Sequence, residues 1–410
     1  MSFQSALSGL NAATRSLDVI GNNIANANTT GMKSSRAEFS DMVASAGGGG
    51  NAMAGIGIEV ATVSQQFSQG NVNITGSDLD VAINGGGFFQ LKSPDGSAAY
   101  TRNGSFKLDK TGNVITNSGA QVMGYPTNTT GTPTSTTIQP LQLPTAAPIA
   151  AKQTTAIAAE FNLDARAPLV TALPATPRTT YGTSLTVFDS QGATVPVTLY
   201  FEHTTSTAAG DVWNVFDTTT NTGTVAAPVP GPVFTMTFDA AGKLTAPAAP
   251  PPLTIATPSA VTPSIVANVD VSKVTQYGAG FAVSNLTQDG YAPGELVGLK
   301  IGNDGVITAR YSNGQTQSTG QVALADFRNV QGLSPIGAGD WAETFSSGQP
   351  VQGAPGQGKL GALRAGALEE SNVDLTAELV NMMTAQRAYQ ANAQTIKTQD
   401  QVMSTLVNLR

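Results

Sequence analysis

The sequence predicts a mainly β protein: two β domains, the outer inserted into the middle one, with N- and C-terminal α-helices forming a coiled-coil domain. Three observations carry that expectation. Apolar residues recur four and three residues apart at both ends of the chain. Between the ends, short apolar runs alternate with Gly, Asn and Asp turns. The β pattern that starts near Asn71 resumes after Tyr277, on the far side of a Pro- and Thr-rich interior.

At the N-terminus the stripe is Phe3, Leu7, Leu10, Thr14, Leu17, Gly21 and Ile24, with Gly31 as the expected stop. Asparagines crowd Gly21 to Lys33; their amides compete with helix backbone, so they are expected to bond to neighbouring chains. Residues 32–70 change character. Phe39, Met42 and Val43 sit among charges before Gly47 to Gly50 break regular structure, which reads as a connector with some freedom.

From Asn71 short strands and hairpins follow. Gly85, Gly86 and Gly87 precede Phe88 and Phe89; no Lys-Ser/Thr follows, so the triplet reads as a bend, not a phosphate cradle. Pro126 to Pro177 reads as loops and a domain crossing. Leu185 to Phe188, the turn Asp189 to Gly192, and Val195, Val197, Leu199 and Phe201 on one face form a hairpin. Nine prolines between Ala226 and Pro263 give a stretch that is stiff, extended and surface-lying, or that wraps a sheet edge. Strands resume at Leu296 to Ile301 and Val306 to Tyr311.

The C-terminal stripe runs through Leu375, Leu379, Met382, Gln386, Tyr389, Ala393, Ile396, Asp400, Met403 and Val407, with Asn372 or Asp374 to cap it. Gln386, Ala393 and Asp400 weaken that seam, so neither terminal helix buries itself alone. The domains expected are 1–31 plus 371–410 as the inner helical domain, 32–70 plus 364–370 as connector, 71–145 plus 280–363 as middle β domain, and 146–279 as inserted outer domain.

Composition excludes several functions. Of 410 residues 40% are hydrophobic and 11% charged, the net charge is −7 and the pI about 4.7. That is no footprint for nucleic acid or an anionic membrane. There is no cysteine, hence no disulfide, thiolate metal site or cysteine nucleophile. No run reaches the ~18 apolar residues of a membrane span, and MSFQSALSGL lacks a basic region followed by an apolar core, so the chain is expected to be either cytoplasmic or exported by a route that does not cleave a signal. The single histidine, His203, reads as structural, and Asp78 with Asp80 as a solvated turn-side pair. No catalytic, cofactor or metal residue is expected, and the chain reads as no enzyme.

Three blocks carry a resemblance: SALSGLNAATRSLDVIGNNIANANTTGMK, then GSDLDVAINGGGFFQL with YTRNGSFKLDKTGNVITNSGAQVMGY, then SNVDLTAELVNMMTAQRAYQANAQTIKTQDQVMSTLVNLR. In order and spacing the chain resembles the rod and hook axial proteins of the bacterial flagellum. Its large insertion and length favour the hook members over the distal rod protein; a secreted β-rich adhesin leaves the paired heptads unexplained. The resemblance implies a structural subunit of a flexible helical tube, a universal joint passing motor torque to the filament. It implies an extracellular site, self-association through the helices, distal rod, hook cap and hook–filament junction proteins as partners, and the flagellar type III apparatus as exporter. Phe39 and Val43 resemble an export-gate motif of that family. Subunit assembly falls to Phe3, Leu7, Leu10, Leu17 and Ile24 at one end, and to Leu375, Leu379, Met382, Tyr389, Ile396, Met403 and Val407 at the other.

Overall fold

Asp374 begins the C-terminal helix by accepting from the Thr376 amide at 2.9 Å and the Ala377 amide at 3.2 Å. Both donors lack a partner inside a first helical turn. In a computed structural model that describes residues 2–43, 55–144, 148–170, 181–208, 210–217, 231–258 and 262–408, this helix is α2, Leu375–Asn408. Its counterpart α1 spans Ser2–Ala25. With 34 residues against 24, α2 is the longer helix by roughly three turns.

The chain divides into two compact units. The first holds Met1–Ala146, Val297–Arg310 and Thr316–Arg410, the second Ala147–Leu296 with Tyr311–Gln315.

In the first unit, the strand Phe88–Lys92 is central, bordered by Ala98–Thr101 and Gln121–Tyr125. Successive side chains of a strand point to opposite faces. Phe89 and Leu91 therefore enter one core with Val81, Ile83, Val122 and Leu324, while Phe88 enters another with Tyr100, Phe327 and Trp341. Residues from beyond the insertion complete this sheet: Gln321 and Val322 pair with Tyr125 and Gly124, and Leu324 pairs with Phe89. Ala362–Ala365 and Ala367–Glu369 pair with Val81–Asn84 and Val72–Ile74, which brings the chain back beside its own start.

Residues 32–70 are more ordered than a connector with some freedom. Strand β1 (Ser35–Val43) pairs antiparallel with β2 (Gly55–Gln65), Phe39 opposite Val60, and α1 packs on the ribbon. The polar residues between the apolar ones follow a period of two, interrupted by register shifts at Glu38/Phe39 and Met42/Val43 that hide it in the sequence. Gly47 to Gly50 lie outside the described residues.

In the second unit two five-stranded sheets share one core. The meander Gly182–Phe188, Thr194–Thr207, Gly210–Phe216, Phe234–Phe238, Leu244–Ala246 contributes Val195, Val197, Leu199 and Phe201 on the face that their alternation specifies. The second sheet is built on Ala156–Asp164, with Ile157, Ala159, Phe161 and Leu163 inward. This strand lies inside the passage expected to be loop. Its last partner, Ala282–Gln288, pairs antiparallel with it, Phe161 opposite Val283. The expected boundary at 279/280 therefore moves: the insert runs through Leu296, because strand pairing and not composition ends it.

Candidate assembly site at the base of the terminal helices

Two contacts fix how α1 and α2 meet. Asn23 Nδ2 donates to Glu378 Oε1 at 3.2 Å, and a Cβ on Gly9 would lie 2.8 Å from Asn392 Nδ2. The two contacts are fourteen residues apart on each helix and in opposite chain order, so the pair is antiparallel and stays in heptad register. The α1 face involved is Ala6, Gly9, Ala13, Ser16, Ile20 and Asn23, small residues that admit close approach of the backbones; Ala6, Ala13, Ile20 and Asn23 are buried. On α2 the matching face is Glu378, Met382, Ala385, Asn392, Ile396 and Gln399, all buried or half-buried.

The stripe read from the sequence is one residue further round α1, about 100° away. Phe3 and Leu7 remain 49% and 44% exposed, while Leu10, Leu17 and Ile24 are half-buried. On α2, Met382 and Ile396 belong to the inner face, whereas Leu375, Leu379, Tyr389 and Met403 are exposed. The Val407 side chain lies outside the described residues. Phe39 is exposed on β1, and Val43 ends that strand with its side chain outside the described residues.

Below the helices lies a buried charge cluster that the sequence did not disclose. Glu369 accepts from Lys33 Nζ at 2.5 Å, from Arg102 Nη1 at 3.2 Å and from the Gly70 amide at 3.0 Å. Lys33 also donates to Ser68 O at 2.8 Å, and Arg102 to Gly85 O at 2.9 Å while lying 5.4 Å above the Phe88 ring. Burial pushes the Lys33 amine below its ordinary value, with Glu369 pulling it back; burial likewise lowers Arg102, opposed by the same carboxylate. One carboxylate thus joins the segment between α1 and β1, the exit of the β1–β2 ribbon, the central sheet and the strand leading to α2.

Among the crowded asparagines, Asn23 and Asn26 bond within the chain, Asn26 Nδ2 donating to Asn22 O at 3.0 Å. Asn23 pairs with Ser35 through both backbone groups, at 2.8 and 2.9 Å. Asn372 receives the Ser34 amide at 2.7 Å while donating to Gln66 O at 2.7 Å and Ser68 Oγ at 2.9 Å. α1 ends at Ala25, short of the expected stop, and Gly31 closes the turns that follow with a positive φ, a conformation that glycine adopts without strain. Its amide reaches Glu369 O at 2.8 Å, and a Cβ there would strike Asn103 N. The helix pair is therefore clasped at residues 34–35 and anchored at Glu369. The heptad period of α1 was readable, its paired face was not, and neither were Lys33, Arg102 and Glu369, scattered over three blocks.

His203 Nε2 lies 3.7 Å from Asp211 Oδ2. His203 stacks on Trp213 at 4.7 Å and its Nδ1 is 2.9 Å from Ala167 O. Asp78 lies in a turn, and the Asp80 carboxylate accepts from Thr75 Oγ1 at 2.6 Å.

Paired terminal helices clasped onto a nested β unit define the class of an axial subunit of the flagellum, and four family models match in chain order. They are described as Flagella basal body rod protein (3–33), Flagellar hook protein FlgE/F/G D1 domain (82–158), Flagellar basal body protein FlaE D2 domain (162–291) and Flagellar basal body rod FlgEFG protein C-terminal (364–409). The flagellar hook protein FlgE of Escherichia coli K12 is 42% identical over 419 residues, all of both chains. That of Rhizobium meliloti is 34% identical over 99% of this chain and 98% of its own. The chain belongs to the flagellar hook protein family and is a structural subunit of the hook. A solved hook protein of Helicobacter pylori, FlgE2, shares the fold at a TM-score of 0.54 and 15% identity, over 72% of this chain and 100% of that one.

Proposed function

We propose that copies of this chain polymerise into the hook by covering the apolar stripes that α1 and α2 leave open, so that the tube serves as a universal joint between rod and filament. The observation that carries this reading is the exposure of Phe3, Leu7, Leu375, Leu379, Val380, Met383, Tyr389, Val402 and Met403 on helices whose other faces are already paired. Large side chains at this density on one element cost stability in water and repay it on association. The cluster at Glu369 supports the mechanical half: torque on the helices passes to the β unit through charge-assisted bonds and not through a free linker. Leu10, Leu17, Ile24 and Val407 act with them in assembly, while Met382 and Ile396, read from the sequence as assembly residues, hold α2 against α1 within the subunit. Phe39 and Val43 serve export by the type III apparatus without a cleaved signal, and the ends of the tube meet distal rod, hook cap and hook–filament junction proteins outside the cell. The role is mechanical, without catalysis. Electron microscopy of the purified full chain under salting-out conditions tests this. Curved tubes are expected; straight rods would favour a drive shaft, and a chain that stays monomeric would sink the reading.

A further inference from the structure

His203 is the single histidine of the chain, and its ring is buried on the strand Thr194–Thr207 with its two nitrogens treated unequally. Nδ1 lies 2.9 Å from Ala167 O. A carbonyl oxygen only accepts, so the proton of a singly protonated ring sits on Nδ1. Nε2 is buried without a hydrogen-bond partner, and Asp211 Oδ2 stands 3.7 Å from it on the neighbouring strand Gly210–Phe216. While Nε2 carries no proton, two acceptors oppose each other there and a buried polar atom goes unbonded. A second proton turns the same contact into a charge-assisted pair.

The stacked neighbour acts in the same sense. His203 and Trp213 lie with ring centroids 4.7 Å apart and planes 8° from parallel, and an indole face attracts a cation. Among the described residues, the remaining ionisable groups on the elements around the ring are turned elsewhere. Glu202 precedes His203 and lies on the opposite face of its strand. Arg166, beside Ala167, is exposed and bonded to Asp164 at 2.9 Å, and Tyr181 meets the Trp213 ring edge-on at 5.9 Å. Asp239 accepts from the Ala241 and Lys243 amides of its own turn, at 2.9 Å each. Lys243, Lys273 and Tyr277 are exposed, Lys273 on Glu160. Asp211 is the charge that the imidazole meets.

Asp211 Oδ2 also accepts from Gln276 Nε2 at 2.6 Å, and Gln276 is buried on the strand Thr275–Tyr277, which belongs to the other sheet of the insert. We propose that His203, Asp211 and Gln276 form a proton-operated latch between the two sheets of the insert. With one proton, the ring is held by Ala167 O alone. With two, Nε2–H closes on Asp211 and completes a run of bonds from Ala167 through His203 and Asp211 to Gln276. The Asp211 side chain is 20% exposed, which gives the proton its way in. Imidazole is the side chain that ordinarily changes charge between pH 5 and 8, so acidification over that range acts on this one residue.

A single histidine makes the test direct. In the full-length chain, the imidazole Hε1 resonance is followed from pH 8 to pH 5, beside tryptophan emission. An imidazolium stacked on an excited indole withdraws electron density and quenches it, whereas the uncharged ring does so far less. Trp341 lies in the first unit, which holds no histidine, so the difference between the parent and His203→Gln reports Trp213. Emission is expected to fall in step with the imidazole titration, and His203→Gln to lose that fall. Asp211→Asn keeps an acceptor for Gln276 and removes the charge; it should carry both curves to lower pH by about one pH unit, a tenfold weaker hold on the proton. An imidazole that keeps one charge state throughout the range overturns the latch. So does an imidazole that titrates while Trp213 emission stays level. Asp211→Asn curves that superimpose on those of the parent overturn the pairing with the carboxylate. If either variant fails to fold, the two curves of the parent decide by coinciding or not.

Discussion

Glu369 holds two cations away from water, and the arithmetic of its removal is asymmetric. Glu369→Gln leaves Lys33 and Arg102 buried with a neutral partner, a change that costs about 3–5 kcal/mol where a buried pair is broken. Replacing Lys33 by Met together with Glu369 by Leu removes charge from both sides and should cost less than Glu369→Gln alone. Thermal unfolding of both variants checks this, and a near-neutral Glu369→Gln would show that solvent reaches the cluster. Asp289 makes a different prediction. Burial pushes its carboxyl up, but the Ala156 and Thr155 amides, Lys152 and the Thr155 hydroxyl outweigh that and hold it well below the usual carboxylate range. A depressed folded value means stability that is complete above the unfolded value of about 3.9 and is lost as the pH falls toward the folded one. Solvent screens this partly exposed carboxylate, so Asp289→Asn should cost only about 1 kcal/mol at pH 7. The cost should shrink below about pH 4, read as converging melting temperatures of variant and parent. None of these partnerships was legible in the sequence, since Lys33, Arg102 and Glu369 carry no local signature. The glycine bend at 85–87 was legible because three consecutive glycines between two apolar runs are a local signal: Gly85 and Gly87 take positive φ between the strands Val81–Asn84 and Phe88–Lys92.

At the scale of elements, both helices were written in the heptad period, and so was the start of α2, whereas α1 stops at Ala25, short of the expected Gly31. The choice of face was not. Sequence reasoning weights large apolar residues, which picks Phe3, Leu7 and Leu10, yet α2 approaches the small face because Gly9, Ala6 and Ala13 let it come close. A helix with two faces needs two partners, and only one of them belongs to the same chain. Gly9→Leu is the direct test: its side chain must displace Asn392, so the α1–α2 pair should loosen while the β sheets, which do not touch position 9, keep their stability. Limited proteolysis should then cut α2 faster with the β core intact; unchanged protection would place the helix contact elsewhere. The strand Ala156–Asp164 was missed for a related reason. Its inward residues, Ile157, Ala159, Phe161 and Leu163, alternate correctly, but three alanines and flanking prolines dilute the signal, and with that strand unseen its partner Ala282–Gln288 was assigned to the wrong unit. Where alternation was strong, as from Val195 to Phe201, the face was legible residue by residue.

For the whole molecule, the division of labour between the two helix faces separates folding from assembly. The inner face, with Asn23 and Asn372 clasping residues 34–35, belongs to the monomer. The outer stripe contributes nothing to it and carries a hydrophobic cost, so a change there should act on the polymer alone. Leu7→Glu combined with Leu379→Glu puts two charges on positions that are 44% and 52% exposed. Exposed surface substitutions usually shift monomer stability by no more than about 0.5 kcal/mol. If neighbouring copies cover those positions, each glutamate must instead be desolvated without a partner, a penalty of several kcal/mol repeated at every subunit. The expected outcome is a variant with the circular dichroism and melting temperature of the parent that sediments as a monomer at concentrations where the parent forms tubes. Loss of helicity together with loss of assembly would mean that the outer stripe already has a partner within one subunit. Tubes formed as readily as by the parent would mean that the stripe faces water in the polymer, and would leave the cost of exposing it without an explanation.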